Sequence, residues 1–411
     1  MLRSNGISGA WRRTAQGARL LAPNGEVAPT IFAEMSALAA ATGALNLGQG
    51  FPDEDGPAEV LEAARAAIAN GANQYPPGRG IADLLHAITE HQHRFYGLIL
   101  DPERDVLVTA GATEALAATL LALIDGPDDE VVTFEPYYDP YAGLVALAGA
   151  RLRTVSLRFP SFEPDLEQLA TVVNARTRVI LINNPHNPTG AVFGPDVLAE
   201  IVRLATLHDA VIVTDEVYAH LTFGARHVPI ATLPGAWERT VTISSGGKTF
   251  NTTGWKIGWA SGPADLISAI LTVKQFLTYV NGSPFQPAIA QGLRLPGTFF
   301  TGIADALQAK RDLLAAGLSA AGFEVSLPRG GYFVVADAAP IGITDAAQFC
   351  RELPALAGVV AIPVSAFASA DRAHEYSSLV RFAACKRVDV LEEAMSRLSN
   401  ADFSAAGRNS T

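Results

Sequence analysis

The sequence predicts an α/β fold, a mostly parallel seven-stranded sheet between helices with a smaller α+β domain attached. Three observations carry it. Short apolar runs alternate with helical stretches through the middle of the chain, the signature of strands joined by helical crossovers. Several of those runs are apolar almost throughout, as strands covered on both faces should be. Finally, 411 residues with 49% hydrophobic and 17% charged side chains are too many for one core and too apolar for disorder.

The elements follow in chain order. From Met1 to Gly25 there are four arginines (Arg3, Arg12, Arg13, Arg19) and no acidic residue. With no apolar signal region or small-residue cleavage site, residues 1–27 are expected to be a disordered tail. Residues 28–55 form an arm that joins the small domain. A large domain over 56–295 opens with a helix at Gly56-Pro57, where proline suits the first helical position, and that helix stops at Gly71. Strands are expected at Val106–Thr109, Val131–Phe134, Leu152–Val155, Val179–Ile182, Val211–Thr214, Val241–Ser244 and Ile257–Ala260, with helices such as Ala112–Ile124 and Asp196–Leu207 between them. The small domain, 296–411, has a long helix from about Phe299. Strand-like runs follow at Phe323–Leu327, Gly331–Ala336, Val359–Ile362 and Leu379–Ala383, then a helix near Val388–Leu398.

Composition narrows the function. A formal charge of −11 disfavours nucleic acid and anionic membranes as partners. The mainly apolar stretch Ala115 to Ile124 is too short to span a bilayer. Two cysteines, Cys350 and Cys385, make neither a disulfide framework nor a thiolate metal site and suit a cytoplasmic protein. No metal is expected. His91 and His93 lie two apart in a helical stretch and so point to different faces.

In open α/β sheets ligands sit at the carboxyl ends of the strands, so the polar residues there come first. Strand 106–109 runs through Gly111-Ala112-Thr113 into a helix whose free N–H groups suit a phosphate. Strand 179–182 runs into Asn183-Asn184-Pro185-His186-Asn187-Pro188-Thr189-Gly190. Strand 211–214 ends in Asp215-Glu216-Val217-Tyr218. Strand 241–244 ends in Ser244-Ser245-Gly246-Gly247-Lys248-Thr249. A nucleotide-binding P-loop would need glycine where Thr242 stands, and the companions of an S-x-x-K acylation motif are missing. Each junction alone reads as an ordinary turn or helix cap.

Together they match the needs of pyridoxal 5′-phosphate: a lysine for the Schiff base, a carboxylate for the ring nitrogen, donors for the phenolic oxygen and an anion site. Lys248, Asp215, Asn187 with Tyr218, and the 111–113 turn with Ser245 and Lys256 fill these roles in that order.

The residues Asn187-Pro188-Thr189-Gly190, Asp215-Glu216-Val217-Tyr218 and Ser245-x-x-Lys248 with Lys256 resemble the fold-type I, class I/II aminotransferases, from about Ala28 to Leu398. Asn46-Leu47-Gly48-Gln49-Gly50-Phe51-Pro52-Asp53, Asn73-Gln74-Tyr75 and Gly254-Trp255-Lys256 are similar to the kynurenine/glutamine transaminase group. The segments around Met35, Asp53, Pro76 and Phe285 look most like the actinobacterial N-succinyldiaminopimelate aminotransferases. The resemblance implies Lys248, Asp215 and Tyr218 as catalytic residues. It places Tyr138 on the cofactor ring, Ala112, Thr113, Ser245 and Lys256 on the phosphate, and Asn187 with Tyr218 on the phenolic oxygen. Gly50, Asn187 and Arg381 would bind the substrate, with Arg381 on its α-carboxylate. Tyr75 would cross to a partner's cofactor in a homodimer. The implied reaction is ping-pong transamination between an L-amino acid and a 2-oxo acid, with N-succinyl-LL-2,6-diaminopimelate and 2-oxoglutarate as substrates and Arg79 as a candidate second anion site. Rival readings are a broad kynurenine/glutamine/methionine aminotransferase and a cysteine-S-conjugate β-lyase. A PLP-sensing regulator is disfavoured, since the N-terminal stretch has no helix-turn-helix pattern.

Overall fold

The computed structural model describes residues 7–22, 24–404 and 406. A two-residue strand, β1 (Leu45–Asn46), comes first. Then follow β2 (Val106–Ala110), β3 (Glu130–Glu135), β4 (Arg151–Ser156), β5 (Thr177–Asn183), β6 (Val211–Asp215), β7 (Thr240–Ser245) and β8 (Ile257–Ser261). All seven expected strands are present, each end within two residues of its expected place. They pair in the order β2-β8-β7-β6-β5-β3-β4. The pairings β4–β3, β3–β5, β5–β6 and β6–β7 are parallel, and β8 is antiparallel to both of its neighbours.

Alternation along the strands explains why the sheet is covered twice. Val131, Val179, Leu181, Val213, Val241 and Ile243 face one apolar core with the helix Gly111–Leu123. Val132, Phe134, Ile180, Ile182 and Ile212 face another with the helix Pro195–Leu207. The same register aligns the strand ends. Asn183 is opposite Asp215, Asp215 is opposite Ile243, and Ala110 is opposite Ile257. One edge of the sheet therefore collects every polar strand end singled out above.

The later strands are β9 (Glu324–Ser326), β10 (Phe333–Asp337), β11 (Val359–Val360), β12 (Ile362–Pro363) and β13 (Leu379–Ala383). An antiparallel sheet runs β12-β13-β10-β9, and β1 pairs with β11 in parallel. The single strand expected over 359–362 is thus split at Ala361 between two sheets. Met35 and Leu47 share a core with Leu314, Val334, Val360, Phe382 and Leu391. This apolar contact, with the β1–β11 pairing, places the arm on the C-terminal elements.

The expectation of a disordered tail is overturned for its described part; residues 1–6 and 23 lie outside the described residues. Ala10–Gly17 is a helix packed on the helix Pro140–Ala148. Arg13 donates to the carbonyls of Ala146 and Leu147 at 2.9 and 3.0 Å, and Arg19 to that of Ala368 at 2.7 Å. Basic side chains suit the exposed carbonyl end of a helix. Arg13 and Arg19 are docking groups.

Candidate active site

Eleven of the twelve residues expected at the site line one cavity of about 360 Å³: Gly50, Ala112, Thr113, Tyr138, Asn187, Asp215, Tyr218, Ser245, Lys248, Lys256 and Arg381. Tyr75 does not. Its side chain is exposed and sits edge-on to Tyr279.

The floor is set by β6. Asp215 is its last residue, 3% exposed, and burial raises its carboxyl from 3.8 to about 6. Two bonds oppose that rise: Tyr141 Oη donates to Oδ2 at 2.9 Å and the Val217 amide donates to Oδ1 at 3.4 Å. Asn183 Nδ2 donates to the Asp215 carbonyl at 2.8 Å, while its Oδ1 accepts the Asn187 amide at 2.6 Å. One side chain thus locks the Asn187 loop to the end of the neighbouring strand.

Lys248 lies in a short helical turn after β7, where Nζ donates to the Gly50 carbonyl at 3.0 Å. Burial, with Arg381 and Lys256 nearby, outweighs the pull of Cys385 and Asp215 and lowers its ammonium from 10.5 to about 8. Tyr332 Oη holds the Lys248 carbonyl at 2.5 Å.

At the β2 end, glycines permit a close approach. A Cβ on Gly258 would stand 2.5 Å from the Gly111 carbonyl carbon, and Gly111 itself has φ +74. An added Cβ there would sit 3.0 Å from Lys256 Nζ, so the ammonium lies beside the start of the helix Gly111–Leu123. Lys256 has φ 54, a left-handed conformation that costs a non-glycine residue roughly 1–2 kcal/mol. Asn281 Nδ2 secures it through the carbonyls of Lys256 and Thr109, at 3.0 and 3.1 Å. A helix N-terminus, Ser245 and an ammonium together could hold a phosphate.

Arg381 is 1% exposed. It donates to Asn187 Oδ1 at 3.1 Å and to the Gly48 carbonyl at 2.9 Å, and its Nε has no acceptor. The guanidinium lies 3.8 Å over the Phe333 ring and 4.4 Å from Phe367. Burial lowers its pKa to about 10, against the pull of Tyr218 and Asp139. No carboxylate pairs with it among the described residues. A desolvated fork of this kind suits the α-carboxylate of an amino acid.

Lysine, buried acid, phosphate cradle and hydroxyl donors are a donor set that fits pyridoxal phosphate. A family model described as aminotransferase class I and II matches residues 42–398. The chain belongs to that family. It is therefore an enzyme of the transaminase type, and its cofactor is pyridoxal 5′-phosphate. Among its aminotransferase relatives is a probable N-succinyldiaminopimelate aminotransferase of Mycobacterium tuberculosis, 51% identical over 382 residues, covering 90% of this chain and 96% of the relative. The solved structure of N-succinyldiaminopimelate aminotransferase from M. tuberculosis superposes with a TM-score of 0.88 at 52% identity, covering 90% of this chain and 97% of that one. A methionine aminotransferase of Escherichia coli is 37% identical over 374 residues, covering 91% and 96%.

The Arg79 guanidinium, a candidate second anion site, is turned onto the carbonyls of Arg104 and Val106, at 3.2 and 3.0 Å, and does not line this cavity. Sequence reasoning also missed Tyr141, which touches Asp215, and Asp139, a cavity carboxyl that burial raises to about 6. The three-residue step from Tyr138 to Tyr141, at the start of a proline-led helix, is the signal that would have found Tyr141.

Proposed function

We propose that this aminotransferase exchanges an amino group between glutamate and the 6-oxo precursor of N-succinyl-LL-2,6-diaminopimelate, as in lysine and diaminopimelate synthesis. The single observation that carries the substrate is the 51% identity, nearly end to end, to the M. tuberculosis relative of that name. A cytoplasmic location belongs to the same reading, supported by two free, buried cysteines.

Pyridoxal phosphate, when bound, supplies the electron sink that makes the Cα–H of an attached amino acid acidic. The residues divide the remaining work. Lys248 holds the cofactor, and its Nζ then takes the proton from the substrate Cα; a pKa near 8 suits a base at neutral pH. Asp215 holds the ring nitrogen protonated, a role in which a facing cation favours its ionised form against burial. Asn187 and Tyr218 hold the phenolic oxygen, and Tyr138 flanks the ring. The amides of Ala112 and Thr113, with Ser245 and Lys256, hold the phosphate. Arg381, with Gly50 and Asn187, grips the α-carboxylate. One cavity serves both substrates in turn, so the kinetics are ping-pong.

The working unit in this reading is a homodimer in which Tyr75 serves the partner's site. Supporting it, Tyr75 and Phe276 are 83% and 85% exposed, beside half-exposed Leu277 and Tyr279, an apolar surface suited to association.

The substrate is tested by comparing kcat/KM for N-succinyldiaminopimelate with kynurenine, glutamine and methionine. The succinylated substrate is expected to lead. A lead of about tenfold by any of the other three, roughly 1.4 kcal/mol in transition-state binding, makes the enzyme a broad transaminase instead.

A further inference from the structure

We propose that Lys386 is a positioning residue that fixes Phe51 as the side wall of the substrate pocket, and so sets which amino-acid side chains enter. The proposal rests on the transaminase reading of the cavity and goes beyond it, since Lys386 does not line that cavity.

Phe51 lines the cavity, yet the residue is 48% exposed. What holds it comes from the residues just after β13. Lys386 is 4% exposed; its Nζ donates to the Phe51 carbonyl at 2.8 Å and lies 4.3 Å from the ring centroid. One ammonium thus fixes both the backbone and the ring of the same residue. Burial lowers the Lys386 pKa, against the pull of Cys385 and Asp53, and no carboxylate lies within ion-pair distance among the described residues. A buried cation without an ionic partner is costly to keep. Its two observed contacts are both to Phe51, and a desolvated cation over a ring face is a strong form of that contact.

The hold reaches the substrate clamp. Gly50 is pressed against Phe333: an added Cβ would stand 2.2 Å from Cζ of that ring, which itself lies under Arg381 at 3.8 Å. Farther along the rim, the Arg387 amide donates to Asp53 Oδ1 at 2.7 Å and Lys310 Nζ to Glu54 Oε2 at 2.6 Å. Those ties secure the segment from outside. Lys386 alone of the three touches the ring that faces the substrate.

The test uses Lys386→Met, Lys386→Arg, Phe51→Ala and the Lys386→Met/Phe51→Ala double variant, each as cofactor-loaded enzyme with occupancy read from cofactor absorbance. Steady-state kinetics follow for alanine, methionine and N-succinyldiaminopimelate. Lys386→Met is expected to raise KM for the two long donors about tenfold or more, with kcat within threefold, full occupancy and an unchanged KM for alanine. The arginine variant recovers at least part of the KM. The double variant is no worse than Phe51→Ala, because the lysine acts through that ring. Multiplying effects in the double variant, an equal change for alanine, or loss of cofactor in Lys386→Met would each overturn the proposal. A wild-type protein that binds cofactor but transaminates none of the donors would instead sink the transaminase reading on which it rests.

Discussion

Tyr141 Oη donates a hydrogen bond to Asp215 Oδ2 at 2.9 Å, and both side chains are buried. The phenol supports the ionised carboxylate that burial opposes. Tyr141→Phe removes that support and leaves the rest of the floor in place. A hydrogen bond to a charged group is worth about 1.5–3 kcal/mol, so kcat/KM should fall roughly tenfold to a hundredfold. The bound cofactor's absorbance should titrate at a shifted pH. Unchanged kinetics and spectrum would mean that the phenol has no part in the reaction.

The same carboxyl gives a stability prediction for the cofactor-free protein. Its folded pKa, about 6, is raised above the ordinary 3.8, so the folded state binds the proton more tightly than the unfolded one. Its contribution is fully present below about pH 4 and is lost as pH rises through 6. Two pKa units correspond to about 3 kcal/mol. Relative to Asp215→Asn, whose side chain does not titrate, the cofactor-free wild type should lose that order of stability between pH 4 and 7. Denaturant titrations of both proteins across that range measure it, and parallel curves would contradict it.

In the proposed mechanism Lys248 attaches the cofactor through its neutral amine, and burial lowers its pKa to about 8. Uptake of pyridoxal phosphate by the cofactor-free enzyme should accelerate as pH rises from 6 to 8 and level off above. Borohydride reduction should then label the peptide that contains Lys248. A label on Lys256 or Lys274 would refute the assignment.

Arg381→Ala removes a desolvated fork whose ring contacts and two carbonyl bonds hold it in one pose. Losing one partner of such a pair costs about 2–5 kcal/mol. Every amino-acid donor should lose roughly 30-fold to several thousand-fold in kcat/KM while the cofactor stays bound. A loss confined to one donor would place the α-carboxylate elsewhere.

Mixing Tyr75→Phe subunits with Lys248→Ala subunits tests the shared site. If Tyr75 serves its partner, the hybrid dimer has one site with both residues intact and recovers activity that neither parent homodimer shows. If Tyr75 serves its own subunit, no site has both and mixing restores nothing.

The sheet and most of the cavity were legible because their signals are local. A short run of β-branched residues that ends in Asp215 or Ser245 announces both a strand and the polar group it delivers. Contacts across long separations were not legible. Tyr141 meets Asp215 over 74 positions, and His220 meets His91 over 129 at 2.7 Å; the spacing from Tyr138 could place Tyr141 near the site, but nothing local names Asp215 as its partner. Arg13, Arg19 and Arg79 were not placed by sequence, for a shared reason. Sequence shows their charge, whereas their partners are backbone carbonyls, which every segment has and which only the fold selects.

The docked N-terminal helix yields the last prediction. Gly17 ends that helix against the helix Pro140–Ala148, and an added Cβ would lie 2.5 Å from Ala146 Cβ and 2.9 Å from the Ala142 carbonyl oxygen. By propensity alone alanine should help, since glycine is about 1 kcal/mol poorer in a helix. Overpacking a tight contact costs about 1–3 kcal/mol, and the obstructing atoms include backbone, which yields little. The packing cost therefore wins, and more clearly for leucine than for alanine. Gly17→Leu should undock the helix and release Arg13 from Ala146 and Leu147 and Arg19 from Ala368. Limited trypsin digestion should then cut at Arg13 and Arg19 much faster than in wild type, while the cores around the two sheets stay resistant. Equal cleavage rates in the two proteins would mean that the helix is not held on that surface.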